Sequence, residues 1–266
     1  MTDETSGDSA VNKPASRLRS EMSWSTPDRV LVRGFDLAND LLGKVNLGDM
    51  AFLELTGRLP TEGESVVFNA MLVSLVEHGI TPNTIAARLT YLGAPEALQG
   101  AVAAGLLGLG SVFVGTIEGA ARMVQEALPA EAASEDPTSA AERIVREHRA
   151  RKIPIPGLGH PIHKPVDPRS VRLFALGAEY GVSGRYVELM QLIAEETVRQ
   201  TGRTLPLNVT GAIGALASEM DIPWQVCRGL GIMARSIGLV AHLLEEIRQP
   251  MGHEIWRWVE EEARDR

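Results

Sequence analysis

The sequence contains a single cysteine, Cys227, among its 266 residues. No disulfide can therefore form within the chain, and we expect the protein in a reducing compartment. Aromatic residues are also scarce, at 5% of the chain, whereas Ala, Leu and Glu are abundant. Because these three residue types favour helices over strands, the composition predicts a mainly helical protein.

Basic residues and long apolar runs are scarce as well. The formal net charge is −8 at pH 7, and because nucleic-acid-binding domains are usually basic, we expect no nucleic-acid partner. No apolar run approaches the roughly 20 residues that cross a bilayer, so we expect no membrane partner. The start of the chain, MTDETSGDSA, lacks the basic and apolar regions of a signal peptide, which favours the cytoplasm.

The composition changes after the first part of the chain. Residues 1–22 are rich in Ser, Thr, Asp and Glu, and we interpret them as a flexible tail. Residues 23–266 are expected to form the folded domain, with a short hairpin at Val30–Val32. From Leu47 onward, the spacing of apolar residues predicts about ten helices and almost no sheet.

Capping patterns mark two helix starts. Thr61 with Glu64 fits a capping box. After an exposed loop, the cap of a later helix is expected near Thr138. The last predicted helix is amphipathic, and we assign its Trp256 and Trp258 to the core or to an interface.

Residues 151–168, RKIPIPGLGHPIHKPVDP, contain five prolines and so cannot form a helix. Gly157 and Gly159, on either side of Leu158, let the backbone approach a ligand closely and offer N–H groups to it. His160 follows directly. The nearby basic residues are Arg149, Arg151, Lys152 and Lys164. The segment is either a cradle for a polyanion with an imidazole at its centre or a surface loop with solvated charges.

His160 and His163 are three residues apart, which raises the question of a metal site. Such a site needs a further ligand and a supporting shell of hydrogen bonds. Cys227 stands alone, and His242 falls on a predicted helix. We therefore expect no metal.

Three other residues allow a functional or a structural interpretation. His78 lies at the end of an apolar helix, where it either favours the helix terminus as a cation or contacts a ligand at a pocket mouth. Arg235 lies on an otherwise apolar helix, and Arg169 lies at a helix start. Each arginine either grips a substrate carboxylate or forms a structural ion pair.

Five segments in register carry a resemblance to a known family. They are ELTGRLPTEGE at 54–64, EHG at 77–79 with IAAR at 85–88, GLGHPIHKPVDPR at 157–169, LPLNV at 205–209 and GIMARSIGLVAHLLEE at 231–246. Their order and spacing resemble the citrate synthase superfamily over about residues 30–266. Phe113 stands where synthases carry a catalytic histidine. The chain in this respect resembles citryl-CoA lyases, including the lyase module of ATP-citrate lyase.

The resemblance implies an all-α, citrate-synthase-like fold. A large helical lobe would form a homodimer, and a smaller lobe, roughly 116–222, would close over coenzyme A. The implied enzyme is a lyase that cleaves citryl-CoA, or a related 3-hydroxyacyl-CoA, to acetyl-CoA and oxaloacetate by a retro-aldol step. Coenzyme A would enter as part of the acyl-CoA substrate, with no tightly bound cofactor.

The resemblance also implies roles for individual residues. His160 would meet the substrate hydroxyl or carbonyl, and His78 would share in catalysis and bind carboxylate. Arg169 and Arg235 would bind carboxylates as well. The residues expected to hold coenzyme A are Gly157, Leu158, Gly159, Arg151, Lys152 and Lys164.

One position departs from the family. The family's catalytic aspartate, in its N-V-D motif, is replaced by Thr210. A threonine hydroxyl cannot take over the acid–base role unaided, and such a loss typically costs about 10²–10⁴-fold in rate. Either another carboxylate such as Glu118 or Glu219 substitutes, or the lyase acts on a different CoA ester, or the protein binds a CoA ester without turning it over.

Overall fold

The computed structural model describes residues 20–129, 135–160 and 162–264. Most of the tail predicted over 1–22 therefore lies outside the described residues, and its flexibility stays a prediction. The described residues are mainly helical, as predicted, and their only sheet lies before residue 37. The described residues divide into two compact units, one up to Asn46 and the other from Leu47 onward.

The first unit contains a small antiparallel sheet. Its strands, in the order β1–β2–β3, are β1 (Ser23–Ser25), β2 (Val30–Val32) and β3 (Phe35–Asp36). The predicted hairpin is present, with Leu31 opposite Trp24 on one side and Asp36 on the other. Arg33 and Gly34 both have positive φ at the tight reversal between β2 and β3.

The second unit contains eleven α-helices among its described residues, close to the number predicted. They are α1 (Leu47–Thr56), α2 (Glu62–Val76), α3 (Pro82–Gly93), α4 (Leu98–Leu107), α5 (Gly115–Ala127), α6 (Pro137–Arg151), α7 (Pro168–Glu179), α8 (Arg185–Thr201), α9 (Val209–Glu219), α10 (Cys227–Arg248) and α11 (Gly252–Arg264). The smaller lobe predicted over 116–222 stays a prediction.

Side-chain caps explain where several helices begin. The predicted capping box at α2 is confirmed, because Thr61 accepts the N–H of Glu64 and the Glu64 carboxylate accepts the N–H of Thr61. The predicted cap near Thr138 is wrong, since Asp136 caps α6. Pro137 occupies the first helical position, where its fixed φ suits a helix, so the cap must precede it.

Helix α9 lies at the centre of the second unit and packs against α5, α7 and α8. It is buried along almost its whole length because Gly and Ala residues allow close approach. At Gly214, an added Cβ would come 2.8 Å from the backbone nitrogen of Ala121 on α5. Packing against these neighbours therefore fixes the N-terminus of α9, where Asn208 and Thr210 lie.

Helix α10 is the longest described helix. Together with a short 3₁₀ turn, it makes a continuous stretch over Trp224–Arg248 that is long and apolar enough to cross a membrane by length and composition. This corrects the prediction that no apolar stretch approaches that length. Half of its most apolar window is buried inside the protein, as expected of a core helix.

Trp256 and Trp258 of α11 are both more than half exposed. Their assignment to the core is therefore wrong. Their role at an interface stays a prediction.

Candidate active site

Three histidines from two parts of the chain converge. His78 follows the end of α2, whereas His160 and His163 lie in the proline-rich segment between α6 and α7. One ring nitrogen of each histidine lies within 4.8 Å of the other two. The ring centroids of His160 and His163 are 4.4 Å apart. One small molecule can therefore contact all three imidazoles.

The ring of His160 is held by the backbone of its own loop. Its Nδ1 accepts the N–H of Ile162 at 3.1 Å and that of His163 at 3.0 Å. Because an accepting ring nitrogen carries no proton, we assign the proton of the neutral ring to Nε2. Burial, together with the charges of His163 and Arg169, lowers the pKa of His160 below its usual value of 6.5. The neutral form is thus favoured at pH 7.

Arg169 faces the Nε2 atom of His160. The buried carboxylate of Asp167 accepts from Nε of Arg169 at 3.0 Å and from Nη2 at 2.9 Å, which fixes the guanidinium. Nη2 lies 3.3 Å from Nε2 of His160. Both nitrogens carry protons, so they cannot satisfy each other, but an oxygen placed between them would accept from both. The pair is arranged to hold an anionic oxygen.

Asp167 serves this arrangement as an anchor. Besides the guanidinium, it accepts the backbone N–H groups of Arg169 and Val209. Burial opposes its charge, but the hydrogen bonds from Arg169 and Val209 hold the pKa of Asp167 below its usual value. With both oxygens already accepting, this carboxylate positions Arg169 and is not available as a general base.

A second carboxylate holds the backbone at His78. Oε1 of Glu77 accepts the N–H of His78 at 2.8 Å and that of Gly79 at 2.7 Å. Nε2 of His242 on α10 lies 3.0 Å from the same oxygen. Burial opposes the charge of Glu77, but these hydrogen bonds lower its pKa. Glu77 thus ties the loop that carries His78 to α10.

A buried arginine supports this connection from behind. Arg88 of α3 is fully buried, and its Nη2 lies 2.9 Å from Nδ1 of His242. Its Nη1 donates to Glu246 at 2.7 Å, and it also pairs with Glu245. Because an arginine only donates, Nδ1 of His242 accepts and its Nε2–H is directed at Glu77. Arg88, His242 and Glu77 therefore link α3 and α10 to the corner that carries His78.

Arg235 adds positive charge beside the histidines. It is buried on α10, and its Nε donates to the carbonyl of Leu75 at 3.2 Å. No carboxylate in the described part of the chain forms an ion pair with it. Burial lowers the pKa of Arg235, and Glu77 opposes this effect. Burial and the charges of Arg169 and Arg235 in turn lower the pKa of His78.

Asn208 joins α9 to the glycine loop. Its Oδ1 caps α9 by accepting the N–H groups of Thr210 and Gly211, and its Nδ2 donates to the carbonyl of Gly159 at 2.7 Å. The hydroxyl of Thr210 donates to the same Oδ1 at 2.6 Å. Thr210, at the family's aspartate position, therefore reinforces the cap.

The glycine loop itself is pressed against the start of α9. The N–H of Asn208 donates to the carbonyl of Gly157, and the N–H of Gly159 donates to that of Pro206. Gly157 has a φ of +90°, and a Cβ there would lie 2.7 Å from Cα of Gly211. Only glycine fits this backbone contact.

The basic residues predicted to hold coenzyme A are less clearly placed. Arg151 and Lys152 end α6, and Lys164 follows His163, and all three are exposed. No contact among the described residues joins them to the histidines. Their role in binding coenzyme A stays a prediction, as do the catalytic and binding roles predicted for the other site residues.

Glu118 and Glu219 are the two carboxylates suggested as substitutes for the aspartate. Among the described residues, neither contacts the three histidines. Glu118 pairs with Arg228 at 2.9 Å. Glu219 lies at the other end of α9 from Thr210, about 14 Å away at 1.5 Å per residue. Its Oε1 accepts the N–H groups of Gly184, Tyr186 and Val187. Substitution by Glu219 is therefore wrong, because this carboxylate caps α8.

In the sequence, only two candidate metal ligands lie close together, whereas the structure brings three histidines together. The further ligand thought to be lacking is present, since the fold brings His78 to His160 and His163. However, the Nε2 proton of His160 and the neighbouring guanidinium of Arg169 both favour an anion over a dication. The absence of a metal stays a prediction.

Sequence reasoning missed the supporting carboxylates Glu77 and Asp167. A signal for Asp167 is present in the sequence, because an Asp followed by Pro is typical of a helix cap and its first residue. Glu77 falls within the EHG segment at 77–79, but no local pattern indicates its role, because its partner His242 lies 165 residues away.

Comparison with known proteins gives this site a context. The chain matches the family described as "Citrate synthase, C-terminal domain" over residues 25–259. It is 26% identical over 260 residues to the probable ATP-citrate synthase of Dictyostelium discoideum, a match that covers 91% of this chain and 40% of that protein. The chain thus spans about two fifths of the length of this curated relative.

Two solved structures are similar as well. The citryl-CoA lyase from Hydrogenobacter thermophilus is 38% identical, with a TM-score of 0.80 and 88% of each chain covered. The ATP citrate lyase from Methanothrix soehngenii, solved with citrate and coenzyme A, is 26% identical, with a TM-score of 0.72. That match covers 90% of this chain and 40% of the other.

Proposed function

This chain belongs to the citrate synthase family, and we propose that it is a carbon–carbon lyase that cleaves citryl-CoA, or a related 3-hydroxyacyl-CoA, to acetyl-CoA and oxaloacetate. The observation that carries the proposal is its likeness to the Hydrogenobacter citryl-CoA lyase over nearly the whole of both chains. The coenzyme A and citrate held by the Methanothrix enzyme support the same class of substrate.

The donor pair at His160 and Arg169 supports a retro-aldol step. In this reaction the substrate hydroxyl loses its proton and becomes a carbonyl while the carbon–carbon bond breaks. Negative charge develops on that oxygen, and Nε2–H of His160 with Nη2 of Arg169, 3.3 Å apart, would stabilise it. Removing one such donor from an enzyme typically costs about 10²–10³-fold in rate.

The remaining positive charge suits the substrate carboxylates. Arg235 has its Nε committed to a carbonyl, and its terminal nitrogens would bind a carboxylate beside His78. The neutral form of His78, favoured by its lowered pKa, would donate one hydrogen bond. Coenzyme A would enter with the substrate and pass along the glycine loop at Gly157–Gly159, whose backbone is fixed against α9.

A second candidate function follows from Thr210. Its hydroxyl is committed to Asn208 and offers no acid–base group to a methyl carbon. A protein without that group would cleave a different CoA ester, or bind a CoA ester without turnover. Slow cleavage of citryl-CoA with fast cleavage of another ester would favour the different substrate. Binding without turnover, unchanged by Thr210→Asp, would favour a protein that only binds.

The direct test is incubation with synthetic citryl-CoA, with malate dehydrogenase and NADH to report oxaloacetate. Rapid NADH loss is the expected result. The proposal fails if the protein binds coenzyme A in a calorimeter yet cleaves neither citryl-CoA nor any 3-hydroxyacyl-CoA of a panel. The variant Arg172→Lys, which changes an exposed ion pair with Glu179, is purified in the same way as a control and should cleave citryl-CoA like the wild type.

We include a homodimer and a cytoplasmic location in the proposal. The family resemblance implies the dimer, and an apolar stripe on α10 supports it. Ile237, Val240, Leu244 and Ile247 are spaced three or four residues apart, and each is about half exposed. Such spacing places them on one face of the helix, as in a helix-packing seam.

A further inference from the structure

The proposed reaction needs a proton at carbon. When the bond to the carbinol carbon breaks, its electron pair remains on the methylene carbon of the acyl-CoA as an enolate. That carbon must gain a proton to become the methyl group of acetyl-CoA. The family's aspartate would supply it, but this chain has Thr210, whose hydroxyl donates to Asn208.

The carboxylates near the site are already committed. Asp167 accepts hydrogen bonds from Arg169 and Val209 with both oxygens. Glu77 accepts two backbone N–H groups and interacts with His242. None of these oxygens is available to move a proton to or from a substrate carbon.

His163 is differently placed. Its ring is half-buried, and a ring nitrogen lies within 4.8 Å of ring nitrogens of His78 and His160. Among the described residues, none forms a hydrogen bond with the ring nitrogens of His163. Its backbone N–H donates to Nδ1 of His160. It is therefore an imidazole of the histidine cluster with both ring nitrogens available for chemistry.

The substrate geometry brings this ring to the reacting carbon. The hydroxyl oxygen and the methylene carbon are both bonded to the carbinol carbon, so they are close neighbours. If His160 meets the oxygen, then His163, whose ring centroid is 4.4 Å away, is within reach of the carbon. The two imidazoles are thus able to serve the two ends of the bond that breaks.

We propose that His163 is the catalytic residue that protonates the enolate carbon in place of the missing aspartate. This inference rests on the proposed function. In the step, the carbon–carbon bond breaks and its electron pair forms a new C–H bond with a proton from the His163 imidazolium. The hydroxyl proton passes to solvent water, and the neutral ring regains one proton from water, so no net proton is consumed.

The test measures proton transfer at carbon separately from cleavage. Acetyl-CoA is incubated in D₂O with (S)-malate, a dicarboxylate without a ketone, and deuterium entry into the methyl group is followed by mass spectrometry. We expect His163→Asn to slow this exchange, and citryl-CoA cleavage, by about 10²-fold or more through kcat, with little change in KM. His253→Asn, on exposed α11, serves as the matched control and should keep the exchange rate.

A rescue variant protects the test against a folding defect. The double variant His163→Asn with Thr210→Asp returns a carboxylate to the family position and should recover at least about 10-fold of the lost rate. If the wild type cleaves citryl-CoA and His163→Asn retains its exchange rate within about threefold, the inference is overturned while the proposed function stands. If the wild type neither cleaves nor exchanges, the proposed function fails and the inference with it.

Discussion

At the scale of single residues, protons in this site are controlled by what each ring nitrogen already contacts. Nδ1 of His160 accepts two backbone N–H groups, so protonating it would break both hydrogen bonds. Burial and the charges of His163 and Arg169 also lower the pKa of His160. A histidine that resists protonation in the folded protein also makes the stability of the fold depend on pH.

The first prediction concerns pH and stability. A histidine whose folded pKa is below its unfolded value of about 6.5 binds fewer protons folded than unfolded, so stability falls as pH drops below that value. We expect the melting temperature to fall between pH 7.5 and pH 5.5, and to fall less in His160→Gln. His253→Gln should keep the wild-type difference. An equal fall in all three proteins would contradict the assignment.

The second prediction concerns Arg169. Lysine has the same charge but cannot grip Asp167 with two nitrogens and also face His160. We expect Arg169→Lys to lower kcat/KM for citryl-CoA by about 10²-fold, as when one oxyanion donor is lost. The exposed control Arg172→Lys should stay within about twofold, because surface ion pairs contribute little. If Arg169→Lys lowers kcat/KM no more than this control does, Arg169 does not stabilise the oxyanion.

At the scale of elements, one side chain performs the capping of a whole helix. Gly184, the N-cap residue of α8, has no side chain to offer, and Glu219 of α9 accepts three N–H groups in its place. A Cβ at position 184 would lie 2.6 Å from Oε2 of Glu219. Glycine at the cap and glutamate on the neighbouring helix thus require each other.

The third prediction tests this cap. Glu219→Ala should lower the free energy of unfolding by about 2 kcal/mol, since loss of a side-chain cap costs up to that amount. Glu219→Gln keeps an accepting oxygen and should cost less. Urea unfolding measures both, and citryl-CoA cleavage per folded molecule should be unchanged in both. Loss of cleavage in a stably folded Glu219→Gln would instead make Glu219 a site residue.

The sequence predicts elements better than it predicts their contacts. Helix starts with a local chemical signal, such as Thr61 with Glu64, are found directly. The cap at Asp136 lies two residues before the predicted position, because Thr138 also carries a side chain that is able to cap a helix. Local patterns also place His160, His163 and Arg169 together, because they lie within ten residues of one another on a loop that leads into α7.

Contacts between residues far apart in the sequence cannot be predicted from local patterns. Arg88 meets Glu246 across 158 residues, and His78 meets His160 across 82 positions of sequence. No periodicity or spacing predicts either meeting, since the first depends on how α3 packs against α10 and the second on how α2 packs against α7. Only the resemblance to a family made His78 a candidate beside His160.

At the scale of the whole molecule, the described residues leave the apolar stripe on α10 half exposed. Ile237 and Leu244 are each about half exposed at its centre. Large exposed apolar patches on soluble domains usually mark interaction sites. A second copy of this chain is the occupant that the family resemblance implies.

The fourth prediction tests that partner. The double variant Ile237→Glu with Leu244→Glu should elute at the monomer mass in light-scattering chromatography, whereas the wild type should elute as a dimer. Val171→Glu, at an exposed apolar residue of α7, should leave the dimer mass unchanged. A wild type that is monomeric at micromolar concentration would refute the homodimer.

The contact between Gly157 and Gly211 has a consequence for anyone who wishes to change the substrate of this protein. The two residues meet backbone to backbone, and a side chain at either one would lie within 3 Å of the other's main chain. A mutant library should therefore keep both glycines constant. Its diversity belongs at Thr210, whose side chain can change while the backbone contact stays intact.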